Sequence, residues 1–259
     1  MNFLKKLKYL ILPLTVIIIW EVTYTIFELY SSSVPTIFIL IPKPTIILKE
    51  AFFSIINTNI LLSLWQTLFT TFLGFSLGFI GAVFLGIWIG RNKIISELLI
   101  PSLHFLRTLP IALYIPIFLI LFNSNIKLPI SLCAFITVLY GIIPISRSAN
   151  EYDIEKITFL KIRSYKPISI ILNFILPEIF SSLKSTISIT STLSLAVTVV
   201  TEMLLQSLGG MGSLIINSKE VSNYNLLWAY ILVLGISGYL FLSIIIKMWE
   251  FAFPWSKQQ

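Results

Sequence analysis

Charged residues, cysteine and histidine are all scarce in this 259-residue chain. Its one cysteine, Cys133, excludes an internal disulfide, and with the single His104 it leaves no Cys/His set for a metal site or for catalysis. Only 11% of the residues are charged, against about 25% in soluble domains. Since 57% are hydrophobic, a water-soluble globule and a disordered chain are both excluded. The composition predicts an integral membrane protein.

Six apolar stretches reach the length of about 20 residues that a membrane-spanning helix needs. They lie at about residues 9–27, 67–90, 104–122, 128–146, 182–205 and 226–246. With the amino terminus in the cytoplasm, 14 Lys and Arg residues fall on the inner side and 4 on the outer side. The sequence therefore predicts one all-α transmembrane domain over residues 1–259, with six spans and both termini cytoplasmic. The net charge of +7 then reflects topology in a lipid bilayer, and we expect no nucleic-acid partner.

Two connecting segments are longer than a simple turn. The outer segment 28–65 contains a stretch, 45–57, whose polar residues share one helical face, which predicts an interfacial helix. The inner segment of about 147–181 is the most charged part of the chain. It predicts two short helices broken near Ser164 to Pro167, with an apolar stripe (Ile154, Ile157, Leu160) suited to a soluble partner.

An ordered set of short motifs resembles the permease subunits of bacterial ABC importers, in the branch that includes the nitrate, taurine and alkanesulfonate systems. The motifs run through nearly the whole chain. They are Trp20-Glu21, Ile41-Pro42-Lys43-Pro44, Leu106-Arg107-Thr108-Leu109-Pro110, Thr201-Glu202-Met203-Leu204, and Gly210-Met211-Gly212 with Ser213-Leu214-Ile215.

The same family has an inner-loop motif, which here is degenerate. Aligning its Leu-Pro pair on Leu176-Pro177 puts its glycine at Ser164 and its Glu-Ala-Ala at Thr158-Phe159-Leu160. Its upstream acidic positions match Asp153 and Glu155. The resemblance implies that this segment is the helix that docks on a cytoplasmic ATPase.

The resemblance also implies the assembly and the cargo. A second permease subunit, expected to be an identical copy, would complete the substrate pathway, and an extracytoplasmic binding protein would deliver a small anion such as nitrate, taurine or a sulfonate. ATP and Mg²⁺ would be bound by the partner ATPase, so this chain would be no enzyme and hold no cofactor or metal. Its lack of a Gly-rich phosphate loop agrees with that division. The location implied is the bacterial plasma membrane.

Candidate pathway or gate residues cluster in and after the fifth span. Two hydroxyl stripes run along that span, and either could line a polar pathway or only pack against neighbouring helices. Glu202, a costly carboxylate at membrane depth, is either a gate residue or a group bonded to a neighbouring helix. Gly210 and Gly212 form a turn or a movable lip, and Pro110 breaks the third span. The stripes are Ser181, Ser185, Ser188 and Thr192, which continue to Glu202, and Thr190, Ser194, Thr198 and Thr201.

Three other interpretations are open from the sequence. A stand-alone carrier or channel would need more intramembrane charge or an inverted repeat, and neither is visible. A membrane-embedded enzyme would need a constellation of catalytic groups, whereas only Glu21 and Glu202 lie within spans. A permease that has lost its function is suggested by the altered Glu-Ala-Ala segment.

Overall fold

The computed structural model describes residues 2–30, 39–123, 125–150 and 183–253, together with the isolated positions 162 and 169. These ranges contain helices and connections and no strand. The α-helices of the described ranges are α1 (Asn2–Tyr30), α2 (Pro44–Ile56), α3 (Thr58–Gly90), α4 (Lys93–Thr108), α5 (Tyr114–Phe122), α6 (Lys127–Asn150), α7 (Lys184–Leu204), α8 (Gly210–Glu220) and α9 (Tyr224–Ala252). The predicted all-α architecture is confirmed.

Five of the described helices are long and apolar enough to cross a membrane: α1, α3, α6, α7 and α9. A sixth span is obtained if α4 and α5 are counted as one bent span. Helix α3 begins nine residues before the predicted second span, and its 33 residues give a length of about 50 Å. That length exceeds the hydrocarbon layer of about 30 Å, so α3 either tilts or projects beyond it.

Asparagine residues start three of these helices. The side chains of Asn57, Asn92 and Asn223 accept hydrogen bonds from the backbone N–H groups of Asn59, Ile95 and Leu226, at 3.0, 3.2 and 3.2 Å. Such caps satisfy amide donors that have no partner within the first turn of a helix. They separate α2 from α3, α3 from α4 and α8 from α9 with very short connections.

The predicted third span, 104–122, is not one continuous helix. Helix α4 ends at Thr108, a short 3-10 turn covers Ile111–Leu113, and α5 then leaves at an angle of 95°. Pro110 lies in the break: it has no N–H for a helical hydrogen bond and forces Leu109 into an extended conformation with ψ 132°. Helix α4 contains no buried residue, so it lies on the surface of the subunit.

The core of the molecule is the close contact between α3 and α6. A Cβ added to Gly78 would lie 2.4 Å from the Ala134 carbonyl oxygen, and one added to Gly90 would lie 2.3 Å from that of Ser146. The two backbones approach this closely only because both positions are glycine. Helix α7 packs against both α6 and α3, and α9 closes the bundle beside α7 and α8.

Candidate substrate pathway and helix junctions

The two hydroxyl stripes of α7 have opposite surroundings. Thr190, Ser194, Thr198 and Thr201 are at most 1% exposed. The Ser194 hydroxyl lies 2.8 Å from that of Thr137 in α6, and the others donate to carbonyl groups one turn back in their own helix. This stripe therefore packs α7 into the bundle and is not open to a solute in the single subunit.

The other stripe faces outward from the subunit. Ser185 and Thr192 are exposed and Ser188 is half-buried, while the Thr192 hydroxyl donates to the Ser188 carbonyl at 2.8 Å. Apolar residues share this face, including Ile189 at 57% exposure. The outward stripe is thus available to line a pathway between this subunit and another element, and its pathway role stays a prediction.

Glu202 lies in a buried junction between α7, α3 and α8, with 2% of its surface exposed. The Thr67 hydroxyl in α3 lies 3.0 and 2.9 Å from its two carboxylate oxygens. The backbone N–H of Gly212 donates to the same carboxylate at 3.0 Å, and the N–H of Met211 donates to the Thr67 hydroxyl at 2.8 Å. Glu202 and Thr67 together therefore satisfy two of the free amide donors that begin α8.

The charge at this junction matches the helix that it holds. The amino-terminal end of a helix carries a partial positive charge, which favours a carboxylate. A buried carboxylate without such donors is costly, because it loses its hydration. The geometry thus makes Glu202 a clamp between three helices; its role as a gate stays a prediction.

Gly210 and Gly212 are required by the same junction. Gly210 has φ +85°, and an added Cβ would lie 2.3 Å from the carboxyl carbon of Glu202. A Cβ on Gly212 would lie 2.4 Å from the Val199 carbonyl oxygen. The turn into α8 therefore passes so close to α7 that a side chain at either position would displace it.

Glu21 forms a second junction of the same kind at the start of α2. Its carboxylate accepts a hydrogen bond from the Thr45 backbone N–H at 3.2 Å and one from the Thr45 hydroxyl at 2.9 Å. The Trp20 ring beside it meets Trp228 of α9 edge-on, with the ring centroids 6.0 Å apart. The Trp-Glu and Pro-x-Pro motifs of the sequence are thus in contact, although 19 residues separate Glu21 from Ile41 and part of that segment lies outside the described residues.

An ion pair reinforces the contact between α1 and the start of α2. The Lys43 ammonium donates to Glu28 and lies 5.2 Å from the centroid of the Tyr24 ring. The hydrogen bond to Glu28 raises the pKa of Lys43 above its usual range. Residues Ile11–Leu29 of α1 include no buried position, so these few contacts fix α1 to the remainder of the described structure.

Pro110 lies at the break between α4 and α5 and is exposed. Just before it, the Arg107 guanidinium lies over the Tyr140 ring of α6, 4.6 Å from the centroid.

The predicted docking segment is outside the described residues. It comprises Asp153, Glu155, Thr158, Phe159, Leu160, Ser164, Leu176 and Pro177.

Sequence reasoning missed the partners of both carboxylates, Thr67 and Thr45, and the tyrosine under Arg107. A usable signal existed for Thr67, because Gln66, Thr67, Thr70 and Thr71 form a polar patch in an otherwise apolar span. A polar side chain at membrane depth needs a partner, and a buried carboxylate elsewhere in the chain is a suitable one. No local signal pairs Arg107 with Tyr140, because they lie on different helices.

The family of binding-protein-dependent transport system inner membrane components matches residues 82–251 of this chain. This chain is 29% identical over 238 residues to SsuC of Bacillus subtilis (strain 168), which is named as an aliphatic sulfonates transport permease protein. The alignment covers 90% of this chain and 81% of SsuC. Two inward-facing structures of the MetNI methionine ABC transporter match with TM-scores of 0.59 and 0.55 at 17% and 18% identity. Each of these alignments covers 71% of this chain and 93% of the MetNI chain.

Proposed function

This chain belongs to the family of binding-protein-dependent transport system inner membrane components, and from that premise we propose that it forms the substrate pathway of an ATP-driven importer of small sulfonates or related anions. The observation that carries the proposal is the family match over residues 82–251, which includes the two most buried spans, α6 and α7. The relative named for aliphatic sulfonate transport supports the choice of cargo.

Two copies of the chain would face each other across the pathway. Ser185, Ser188 and Thr192 lie on the unpacked face of α7, which is where a second copy would leave a polar lining. An extracytoplasmic binding protein would deliver the anion to one end of this pathway. Both chain termini would be on the other side, in the cytoplasm of a bacterium, where ATPase subunits bind ATP and Mg²⁺.

The ATPase would act through the segment 147–181. Helix α6 continues without a break to Asn150, and α7 begins at Lys184, so the intervening segment is joined directly to the two spans at the centre of the bundle. A force applied there would be transmitted along α6 and, through its close glycine contacts, into α3. This arrangement would allow an ATPase outside the membrane to move the spans within it.

The first test is the recovery of partners from mild-detergent membranes. A tagged chain is expected to bring down a Walker-type ATPase, identified by mass spectrometry, and deletion of residues 155–164 is expected to abolish this without preventing insertion. Recovery of the chain alone, from cells that make such ATPases, would favour a stand-alone carrier or a permease that has lost its function.

Substitution of Leu160 tests the docking surface more finely. Leu160→Asp places a charge on the apolar stripe and is expected to abolish both ATPase recovery and the uptake of a sulfonate supplied with its binding protein. Leu160→Met, which keeps an apolar side chain of similar volume, is the matched control and is expected to retain both. Unchanged uptake in the Asp variant would refute the docking assignment.

A further inference from the structure

The Arg107 side chain is held in place by aromatic residues at the break between α4 and α5. Its guanidinium lies 4.6 Å from the centroid of the Tyr140 ring, a favourable position for a cation–π contact. The Tyr140 hydroxyl donates to the Arg107 carbonyl at 3.2 Å, and the Tyr114 hydroxyl donates to the Leu106 carbonyl at 2.8 Å. Two tyrosines, one from α5 and one from α6, thus fix the last turn of α4.

The stacked guanidinium has no carboxylate partner among the described residues. The ion pairs of the described residues join Lys43, Lys93 and Lys184 to carboxylates, and none of them includes Arg107. Arg147 lies two helical turns beyond Tyr140 on the same face of α6, and this second cation repels Arg107. The pair therefore concentrates positive charge, and an arginine stacked by its face keeps the N–H groups at its edge free to donate.

The position of this pair along the bundle is set by the contact between α6 and α7. These helices are antiparallel, and the Thr137 and Ser194 hydroxyls meet at 2.8 Å. Tyr140 lies one turn beyond Thr137, which brings it level with the Ser188 and Thr192 turns of the outward hydroxyl stripe. Arg147 lies nearer the end of α6, at the level where α7 begins.

We propose that Arg107 and Arg147 form a binding site for a tetrahedral oxyanion, at the same level of the bundle as the hydroxyl stripe of α7. A guanidinium donates two parallel hydrogen bonds to a sulfonate or phosphate group, and an anion between two arginines removes their mutual repulsion. The same chemistry is presented by a soluble sulfonate and by the phosphate of an anionic lipid. The identification of the site with the transported anion rests on the proposed function; anion binding itself does not.

The alternative is that each arginine serves only its own helix. Both lie in the last turn of a helix, where a cation is favoured by the partial negative charge. This accounts for the two positions, but it explains neither the tyrosine under Arg107 nor the second cation on the same face of α6. An anion site explains all three features.

The test uses the purified full-length chain in nanodiscs of zwitterionic phosphatidylcholine, titrated with inorganic sulfate and with ethanesulfonate by calorimetry. Saturable binding is expected, and Arg107→Gln is expected to weaken it roughly 10- to 100-fold. Arg107→Lys keeps the charge but loses the two-pronged donor, and an intermediate loss is expected. The matched control is Arg91→Gln, an exposed arginine at the same end of the bundle, which should change binding by less than about twofold.

A second arm identifies the source of the anion. The titration is repeated with phosphatidylglycerol in the nanodiscs, and bound lipid is measured by native mass spectrometry. Competition by phosphatidylglycerol, with retained lipid that is lost in Arg107→Gln, would assign the site to a lipid phosphate. Undiminished sulfonate binding in the anionic nanodiscs would assign it to a soluble anion.

Two results would overturn the proposal. The first is that neither anion binds saturably in any of these nanodiscs and no lipid is retained. The second is that Arg91→Gln and Arg107→Gln lose the same amount of anion affinity. If Arg107→Gln fails to fold, Arg107→Lys and Arg147→Gln carry the same comparison. The assay needs neither ATPase nor binding protein. Absence of anion binding would therefore not contradict the importer proposal. Likewise, failure to recover an ATPase with the tagged chain would not contradict anion binding.

Discussion

Replacement of Thr67 by valine tests whether the Glu202 junction is the clamp that its geometry indicates. Valine keeps the shape of threonine and removes only the hydroxyl. The Glu202 carboxylate would lose a partner that lies 2.9–3.0 Å from both of its oxygens, and the Met211 N–H would lose its acceptor at 2.8 Å. Both groups are buried, so water cannot replace the lost contact without opening the junction.

The expected loss of stability follows from these two unsatisfied groups. Each buried polar group left without a partner costs about 1–3 kcal/mol, so the two groups together are expected to destabilise the Thr67→Val chain by roughly 2–6 kcal/mol. At about 2–4 °C per kcal/mol for a chain of this size, the melting midpoint would fall by roughly 4–24 °C. Glu202→Gln keeps an oxygen for Gly212 and an amide group facing Thr67, and the smaller expected loss is about 1–2 kcal/mol, from the missing charge at the start of α8.

The single cysteine supplies the assay. Cys133 is fully buried between α6 and its neighbours, so a thiol-reactive fluorophore labels it only when the bundle opens. The midpoint of labelling during heating then reports unfolding of the purified protein in mild detergent. No engineered label is needed, because the chain contains no other thiol.

Thr71→Val is the matched control for Thr67→Val. Thr71 lies one turn further along α3 and is equally buried, but its hydroxyl donates only to the Thr67 carbonyl in its own helix. That carbonyl keeps its helical hydrogen bond, so a change below about 1 kcal/mol is expected. Equal midpoints for Thr67→Val and the unmodified chain, or equal losses in both variants, would refute the clamp.

Further predictions concern the helix contacts. Gly78→Ala should push α3 from α6 and lower the stability by about 1–3 kcal/mol or more, which the labelling midpoint reports. Gly235→Ala, whose added Cβ would meet nothing within 4 Å, should raise the stability by up to about 1 kcal/mol. Equal losses in the two variants would contradict the packing argument. Thr45→Val loses the hydroxyl bond to Glu21, so it should loosen α1 from α2 and speed proteolysis between them by up to about tenfold. The Thr45→Ser variant keeps this bond and should be cleaved at the rate of the unmodified chain. Equal cleavage of the valine and serine variants would show that this bond does not hold α1.

The composition and the apolar stretches were sufficient to predict the class of protein. A membrane-spanning helix satisfies its own backbone hydrogen bonds and needs only a sufficient run of apolar residues, so it leaves a local signal in the sequence. The spans at 128–146 and 182–205 correspond closely to α6 and α7 for this reason. The ordered motifs likewise led to the family that the match over 82–251 shows.

The break at Pro110 was visible in the sequence, but its angle was not. A proline removes one hydrogen bond and disfavours the helical conformation of the residue before it. Whether the chain then kinks slightly or turns by 95° depends on what the following helix packs against. Here Tyr114 and Ile115 of α5 are buried in a cluster with α6 and α7, and this packing directs α5 away from α4.

Only the tertiary structure decided which hydroxyl stripe of α7 faces the bundle and what holds Glu202. Both stripes contain the same residue types at the same helical spacing, so no local property distinguishes them. Burial of Ser194 follows from its meeting with Thr137, 57 residues away, and the burial of Glu202 from its meeting with Thr67, 135 residues away. The sequence alone determined that these polar groups exist at membrane depth. The packing of distant helices determined their hydrogen-bond partners, because hydrogen bonding at that depth depends on which surfaces the fold brings together.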